Sequence, residues 1–255
     1  MRKILITNDD GVKSKGISQL IEMMRPYGEI TVVAPFEAQS GMSAALTIGK
    51  PLRLTELRSD DGLKVYACSG TPADCVKMAM NQIFKNVIPD LLVSGINHGS
   101  NASVASLYSG TLGAAIEGTI YGIPSIGLSL CSHKPDADFS GVLHYGKVII
   151  DNFLQNPVSP NVYLNINFPD LKPDEIKGIK FAQQGKGQWI KEFEQREDPY
   201  GFKYYWMTGE FYNLEPDNEK SDNNIIDKGF ISIVAHKIDN TDYEEVRRLE
   251  SIWKL

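Results

Sequence analysis

The sequence predicts an α/β protein: a mostly parallel sheet covered by helices, with a C-terminal extension of β-hairpins and a helix. Three observations lead there. Several short runs are apolar throughout, as in strands buried on both faces. Segments with helical spacing or helix-start chemistry separate them. Beyond about residue 157 the pattern changes to alternating and aromatic-rich segments.

Residues 3–7 form the first apolar strand, and Ile17, Leu20, Ile21 and Met24 then recur at helical spacing. Residues 30–34 form a second buried strand, stopped by Pro35. Thr71-Pro72-Ala73-Asp74 is a helix start, with Thr as N-cap, Pro at the first helical position and an acid three residues after the cap. Residues 91–94 are another strand, 111–121 an Ala- and Gly-rich helix, and 125–130 a further strand. Residues 161–168 alternate, which predicts a half-exposed strand. The aromatic stretch 180–211 suggests hairpins, with Asp198-Pro199-Tyr200-Gly201 as a turn. Residues 217–224 are polar and expected to be mobile, 230–235 are a late strand and 243–253 a terminal helix. The expected organisation is a Rossmann-like catalytic core over 1–155 and a C-terminal extension over 156–255, which serves as an oligomerisation arm.

The chain has 255 residues, 42% of them apolar and 23% charged, enough to build a buried core. No apolar run reaches the ~18 residues that span a bilayer, so no membrane partner is expected. Three cysteines without metal-finger spacing suit the reducing cytoplasm. A net charge of −6 disfavours duplex nucleic acid as a partner. A small phosphorylated ligand remains compatible, because a bound divalent cation inverts the local field.

Four polar segments fall where strands of one sheet should end. Asn8-Asp9-Asp10-Gly11 follows the first strand. Two adjacent carboxylates there suit Mg²⁺ or Mn²⁺, which prefer oxygen ligands, although an Asp-Gly turn reads the same way. Both aspartates reach one ion only if the strand has already ended, and Gly11 permits that turn. Ser40-Gly41-Met42-Ser43 follows the second strand, and its small residues allow backbone N–H groups to approach an anion; a plain surface loop has the same composition. Ser94-Gly95-Ile96-Asn97-His98 offers the Asn97 carbonyl to a cation and its amide to a phosphate oxygen. A lone loop histidine is more often incidental, so His98 is left outside the site. Ser109-Gly110-Thr111 opens a helix whose free N–H groups suit a phosphate, or simply a Ser/Thr cap.

In order along the first half stand I-L-I-T-N-D-D-G (4–11), A-P-x-x-x-Q-S-G-M-S (34–43), S-G-T-P-A-D-C-V (69–76), S-G-I-N-x-G-x-N (94–101) and Y-S-G-T-L-G-A-A-I-E-G (108–118). The chain resembles the SurE family, the survival-protein 5′-nucleotidases, through these five blocks. The resemblance implies a Rossmann-like fold and one divalent metal on Asp9, Asp10, Ser40 and Asn97. It implies hydrolysis of nucleoside 5′-monophosphates, with Asp9, Asp10 and Asn97 catalytic and Ser40, Gly41, Ser109, Gly110 and Thr111 around the phosphate. It also implies homodimers or homotetramers built by exchanging C-terminal segments. Val234-Ala235 stand where the family often has Thr-Pro. Two routes stay open for the chemistry: a water activated at the cation with Asp10 as base, or direct attack by the Asp10 carboxylate. A haloacid-dehalogenase-type phosphatase would need an acid where Asn8 stands. A metal- and nucleotide-sensing module that binds without turnover is the alternative function.

Overall fold

The structure, a computed structural model, describes residues 1–85 and 87–254. Strand β1 (Arg2–Thr7) leads through the Asp-Asp-Gly turn into helix α1 (Lys15–Met24), whose N-cap Ser14 accepts the Ile17 N–H. β2 (Gly28–Pro35) follows, then an antiparallel pair, β3 (Leu54–Asp60) and β4 (Leu63–Cys68). α2 (Pro72–Met78) begins with the capping box that the sequence predicts, Thr71 and Asp74 each bonding the other's backbone N–H. β5 (Leu91–His98), α3 (Gly110–Ile120), β6 (Ser125–Cys131), α4 (Ser140–Gln155) and β7 (Val162–Pro169) complete the alternation. Beyond it come β8 (Ile179–Phe181), β9 (Gly187–Ile190), β10 (Phe193–Glu197), β11 (Lys203–Met207), β12 (Glu210–Asn213), α5 (Asp222–Asp227), β13 (Ile231–Lys237) and α6 (Tyr243–Ile252).

Nine strands form one sheet in the order β3-β4-β2-β1-β5-β6-β7-β13-β8. All pairs are parallel except β3–β4 and β7–β13. Residues alternate between two faces. Ile4 and Ile6 pack with Ile17, Leu20 and the α4 residues Val142, Ile149 and Ile150. Leu5 and Leu92 turn the other way, to Val76 and Ala79 beyond the first turn of α2 and Ala114 of α3. α1 and α4 thus cover one face, α2 and α3 the other. From β1 the chain moves to β2 on one side, whereas from β5 it moves to β6 and β7 on the other. The crevice beyond the carboxyl ends of β1 and β5 is therefore the topological switch point, where open α/β sheets bind ligands.

Several readings of the sequence differ from the structure. The helix 140–155 escaped the reading, although Val142, Gly146, Ile149, Ile150 and Phe153 form its buried face. β7 alternates but is buried on both faces. Its polar residues meet protein: Asn167 Oδ1 accepts the Asn101 N–H at 2.8 Å and Asn165 Nδ2 donates to Asn101 O at 2.8 Å. The sheet thus continues past residue 155, through β7, β13 and β8. Hairpin β10–β11 turns at Asp198–Gly201 as expected, and every residue of its strands is exposed.

The polar stretch 217–224 holds a fully buried carboxylate, Asp222, and starts α5. Asp222 accepts N–H bonds from Ser103 (2.9 Å), Gly185 (2.9 Å) and Asn223 (2.8 Å), tying the segment before α3 to the segment before β9. Burial raises its pKa, opposed by those same N–H groups. Asp222→Ala strands the buried Ser103 and Gly185 donors. It should lower the unfolding free energy by about 3 kcal/mol or more in urea titration, because each unpaired buried donor costs roughly 1–3 kcal/mol. A loss under about 1 kcal/mol would contradict this tie.

Candidate functional site

Asp9 and Asp10 stand just past the last residue of β1, where the pleat no longer forces neighbours to opposite faces. Gly11 takes φ +96° and lets the chain turn against Glu37 and Ala38. Asn8, which the sequence reading used only to reject a rival, holds this turn: its Nδ2 donates to Gly11 O (3.0 Å) and to the α1 cap Ser14 Oγ (2.9 Å). An Asn directly before the acid pair and six residues before a Ser cap was the available signal.

Asp9 is 4% exposed and leans toward α3, where Thr111 Oγ1 donates to its Oδ1 at 2.6 Å. Gly110 makes this approach feasible, since a Cβ there would lie 2.9 Å from Asp9 Cβ and 3.1 Å from its Oδ2. Asp10 leans toward β5 and accepts the His98 N–H at 3.1 Å. Burial pushes Asp9 up to about 6; the Thr111 hydroxyl opposes this and the Asp10 charge adds to it. Burial also raises Asp10, opposed by the His98 N–H.

No basic side chain among the described residues pairs with either carboxylate. Two partly desolvated acids side by side are costly unless a cation joins them. Asn97 Nδ2 donates to Gly99 O at 2.8 Å, which orients the amide and leaves Oδ1 as its acceptor. This all-oxygen donor set fits a hard divalent cation such as Mg²⁺ or Mn²⁺. Among the described residues no group of three His, Cys, Asp or Glu side chains gathers for a metal, so a cation here would draw on Asn and Ser oxygens beside the two acids.

Of the residues singled out in the sequence, the structure brings together Asp9, Asp10, Gly110 and Thr111, with Asn97 next to the His98 N–H that Asp10 accepts and Ser109 as the α3 N-cap accepting the Leu112 N–H at 3.1 Å. The Thr111 hydroxyl is fully buried and engaged with Asp9. Ser40 and Gly41 lie on an exposed loop, joined to the acid pair through their neighbour Gln39, whose N–H donates to Asp9 O at 2.7 Å. That loop is anchored further along. Ser43 N–H donates to Tyr108 O at 3.0 Å, and Thr71 Oγ1 donates to Ala45 O at 2.7 Å. A Cβ at Gly113 would fall 2.0 Å from Ser43 O, so only glycine lets α3 meet the loop this closely. A roomier cleft, ≈ 450 Å³ and lined by Lys3, Glu29, Asp60 and Phe84, lies at the opposite ends of the strands.

The family described as "Survival protein SurE" matches residues 4–191. A protein of Cytophaga hutchinsonii named 5′-nucleotidase SurE is 46% identical over 251 residues, covering 98% of this chain and 96% of its own length. One of Bacteroides fragilis with the same name is 46% identical over 255 residues, covering 99% and 97%. The crystal structure of the SurE protein from Aquifex aeolicus superposes with a TM-score of 0.84 at 34% identity, covering 98% of this chain and 99% of that one.

Thr111 orients Asp9 and so should tune the cation site. Thr111→Val keeps the shape and removes the hydrogen bond. Mn²⁺ affinity measured by calorimetry should fall about 10–100-fold, the usual loss when a ligand's outer partner is removed. Unchanged affinity would contradict a role for Asp9 in holding a cation.

Proposed function

The chain belongs to the SurE family, and from that premise we propose that it is a 5′-nucleotidase that hydrolyses nucleoside 5′-monophosphates to nucleoside and phosphate, using one divalent cation. The observation that carries this reading is the pair of adjacent carboxylates, Asp9 buried and Asp10 half-buried, without a basic partner among the described residues, set at the switch point beside the N-terminus of α3. We assign Asp9, Asp10 and Asn97 Oδ1 to the cation, Mg²⁺ or Mn²⁺, with the Ser40 hydroxyl as a further ligand from the loop. When bound, the cation supplies Lewis-acid polarisation of the phosphoryl group and neutralises charge that develops on its oxygens.

The chain's own residues do the rest. The free N–H groups at the start of α3, from Gly110 and Thr111, favour a dianion through their direction and the helix dipole. The backbone at Ser40 and Gly41 closes over the same anion from the second strand's loop. Ser109 caps α3 and keeps those N–H groups aimed. Thr111 and the His98 N–H orient Asp9 and Asp10 respectively, which fixes the phosphoryl group for in-line attack. Asp10, the more open of the two acids, takes the proton from an attacking water or attacks phosphorus itself.

The exposed aromatic strands β10 and β11 support a second part of the proposal. Phe193, Tyr204, Tyr205, Trp206 and Met207 all lie open on this hairpin, and a patch of that kind marks an interface. We assign it to contact with further copies of the chain in a homodimer or homotetramer. No helix among the described residues is long and apolar enough to cross a membrane. We place the enzyme in the cytoplasm, on three cysteines that are free thiols.

Released phosphate measured with AMP and Mn²⁺ tests the activity. EDTA should abolish it and either Mg²⁺ or Mn²⁺ restore it; full turnover after exhaustive chelation would refute the metal assignment. Asp9→Asn and Asp10→Asn should each lower kcat by about two orders of magnitude or more with the fold intact. Normal hydrolysis by both variants would place the chemistry elsewhere. Light scattering at micromolar concentration should give a dimer or tetramer, and a strict monomer would remove the interface assignment.

A further inference from the structure

The two carboxylates lean to opposite sides of the switch point, Asp9 toward Thr111 of α3 and Asp10 toward His98 at the end of β5. On the Asp10 side, away from the phosphate-directed N–H groups, lies a cavity of ≈ 120 Å³ bounded by Asp10, Ser14, Lys15, His98, Pro135 and Phe139. At about 30 Å³ per water, it has room for roughly four waters. That is room for a small polar group such as a furanose ring.

The chemistry of the lining points the same way. His98 Nε2 is shielded from solvent and has no hydrogen-bond partner. Such an atom is costly unless a ligand or water meets it. The imidazole is held in place from two sides. Its ring meets the Phe139 ring edge-on, centroids 6.2 Å apart at 61°, and its peptide N–H is tied to Asp10. Lys15 Nζ donates to Ala137 O at 2.8 Å and lies 5.5 Å from the Phe139 ring centroid. An ammonium has three donors, so others remain. The cavity is therefore bordered by an imidazole whose unpartnered nitrogen can donate or accept, ammonium N–H groups that donate, and a flat apolar wall. Two neighbouring hydroxyls on a compact ring match that set.

We propose that this cavity is the sugar subsite. His98 Nε2 and Lys15 Nζ hydrogen-bond the ribose 2′- and 3′-hydroxyls of the bound nucleoside monophosphate, and His98 is a specificity-determining residue. The inference rests on the nucleotidase reading and deepens it. The subsite places the ester arm of a phosphoryl group seated between the acid pair and α3 on the Asp10 side, where the cavity lies. Sequence reading set His98 aside as an incidental loop histidine; it is instead the last residue of β5, with its ring lining this cavity.

Steady-state kinetics with AMP and 2′,3′-dideoxy-AMP test the proposal, since both carry the same phosphate and base. The wild type should prefer AMP at least tenfold in kcat/KM. In His98→Ala that preference should fall to about twofold, chiefly through a higher KM for AMP. General damage to the fold or the cation site would lower both substrates together and leave their ratio in place. His98→Gln gives the same comparison if the alanine variant does not fold, and should retain part of the preference. A wild type that hydrolyses AMP but does not discriminate against the dideoxy compound overturns the subsite while leaving the nucleotidase reading intact. So does a His98→Ala variant that keeps the full preference. A wild type inactive on both compounds overturns the nucleotidase reading and the subsite with it.

Discussion

The architecture depends on placing two carboxylates next to each other, partly out of water and with no basic side chain among the described residues to neutralise them. Desolvation and mutual repulsion both oppose this arrangement, and they hold the Asp9 carboxyl up near 6. The surrounding structure supplies oriented N–H and O–H donors to the two acids, from Thr111 on one side and from the His98 peptide on the other. These donors offset part of the cost and leave the remaining oxygen atoms for a cation. A lysine or arginine in the same place would satisfy the charge permanently and close the site to a metal.

Around this constraint the fold is organised by close backbone approaches. The acid pair works only if α3 comes near enough for Thr111 to reach Asp9, and Gly110 has no Cβ to hold it off. The 40s loop closes on the site only because Gly113 admits the Ser43 carbonyl. On the other flank, a Cβ at Gly16 would lie 2.1 Å from Ile96 O, so α1 can sit directly on the end of β5 and form one wall of the cavity by Asp10. Three glycines in two helices, Gly110 and Gly113 in α3 and Gly16 in α1, thus set the width of the crevice. The buried Asp222 fixes the approach to α3 from the far side by holding Ser103.

Much of this was legible in the sequence, and for physical reasons. Strands buried on both faces are apolar throughout, so β1, β2, β5 and β6 stood out. The capping box at Thr71 and Asp74 needs only local chemistry, and it formed as read. The acid pair, Asn97 and the start of α3 were singled out because four polar segments fall together where strands of one sheet end, although each alone also reads as a turn, loop or cap. β7 was misread because alternation reports only that polar and apolar residues alternate; it cannot tell water from a buried network such as Asn101, Asn165 and Asn167. The stretch 217–224 looked mobile by composition, yet Asp222 finds its N–H partners more than thirty residues away in sequence, at Ser103 and Gly185. His98 was passed over for the same reason: its neighbours Phe139 and Lys15 are distant in the chain and meet it only when the sheet forms.

The central claim is that Asp9 and Asp10 hold a divalent cation together with Asn97. Anomalous diffraction from crystals grown with Mn²⁺ tests it most directly. The account predicts one strong peak between the two carboxylates, about 2.0–2.3 Å from an oxygen of each and from Asn97 Oδ1, as expected for a hard cation with oxygen ligands. A peak bound elsewhere, with the acid pair bare in an active enzyme, would contradict it.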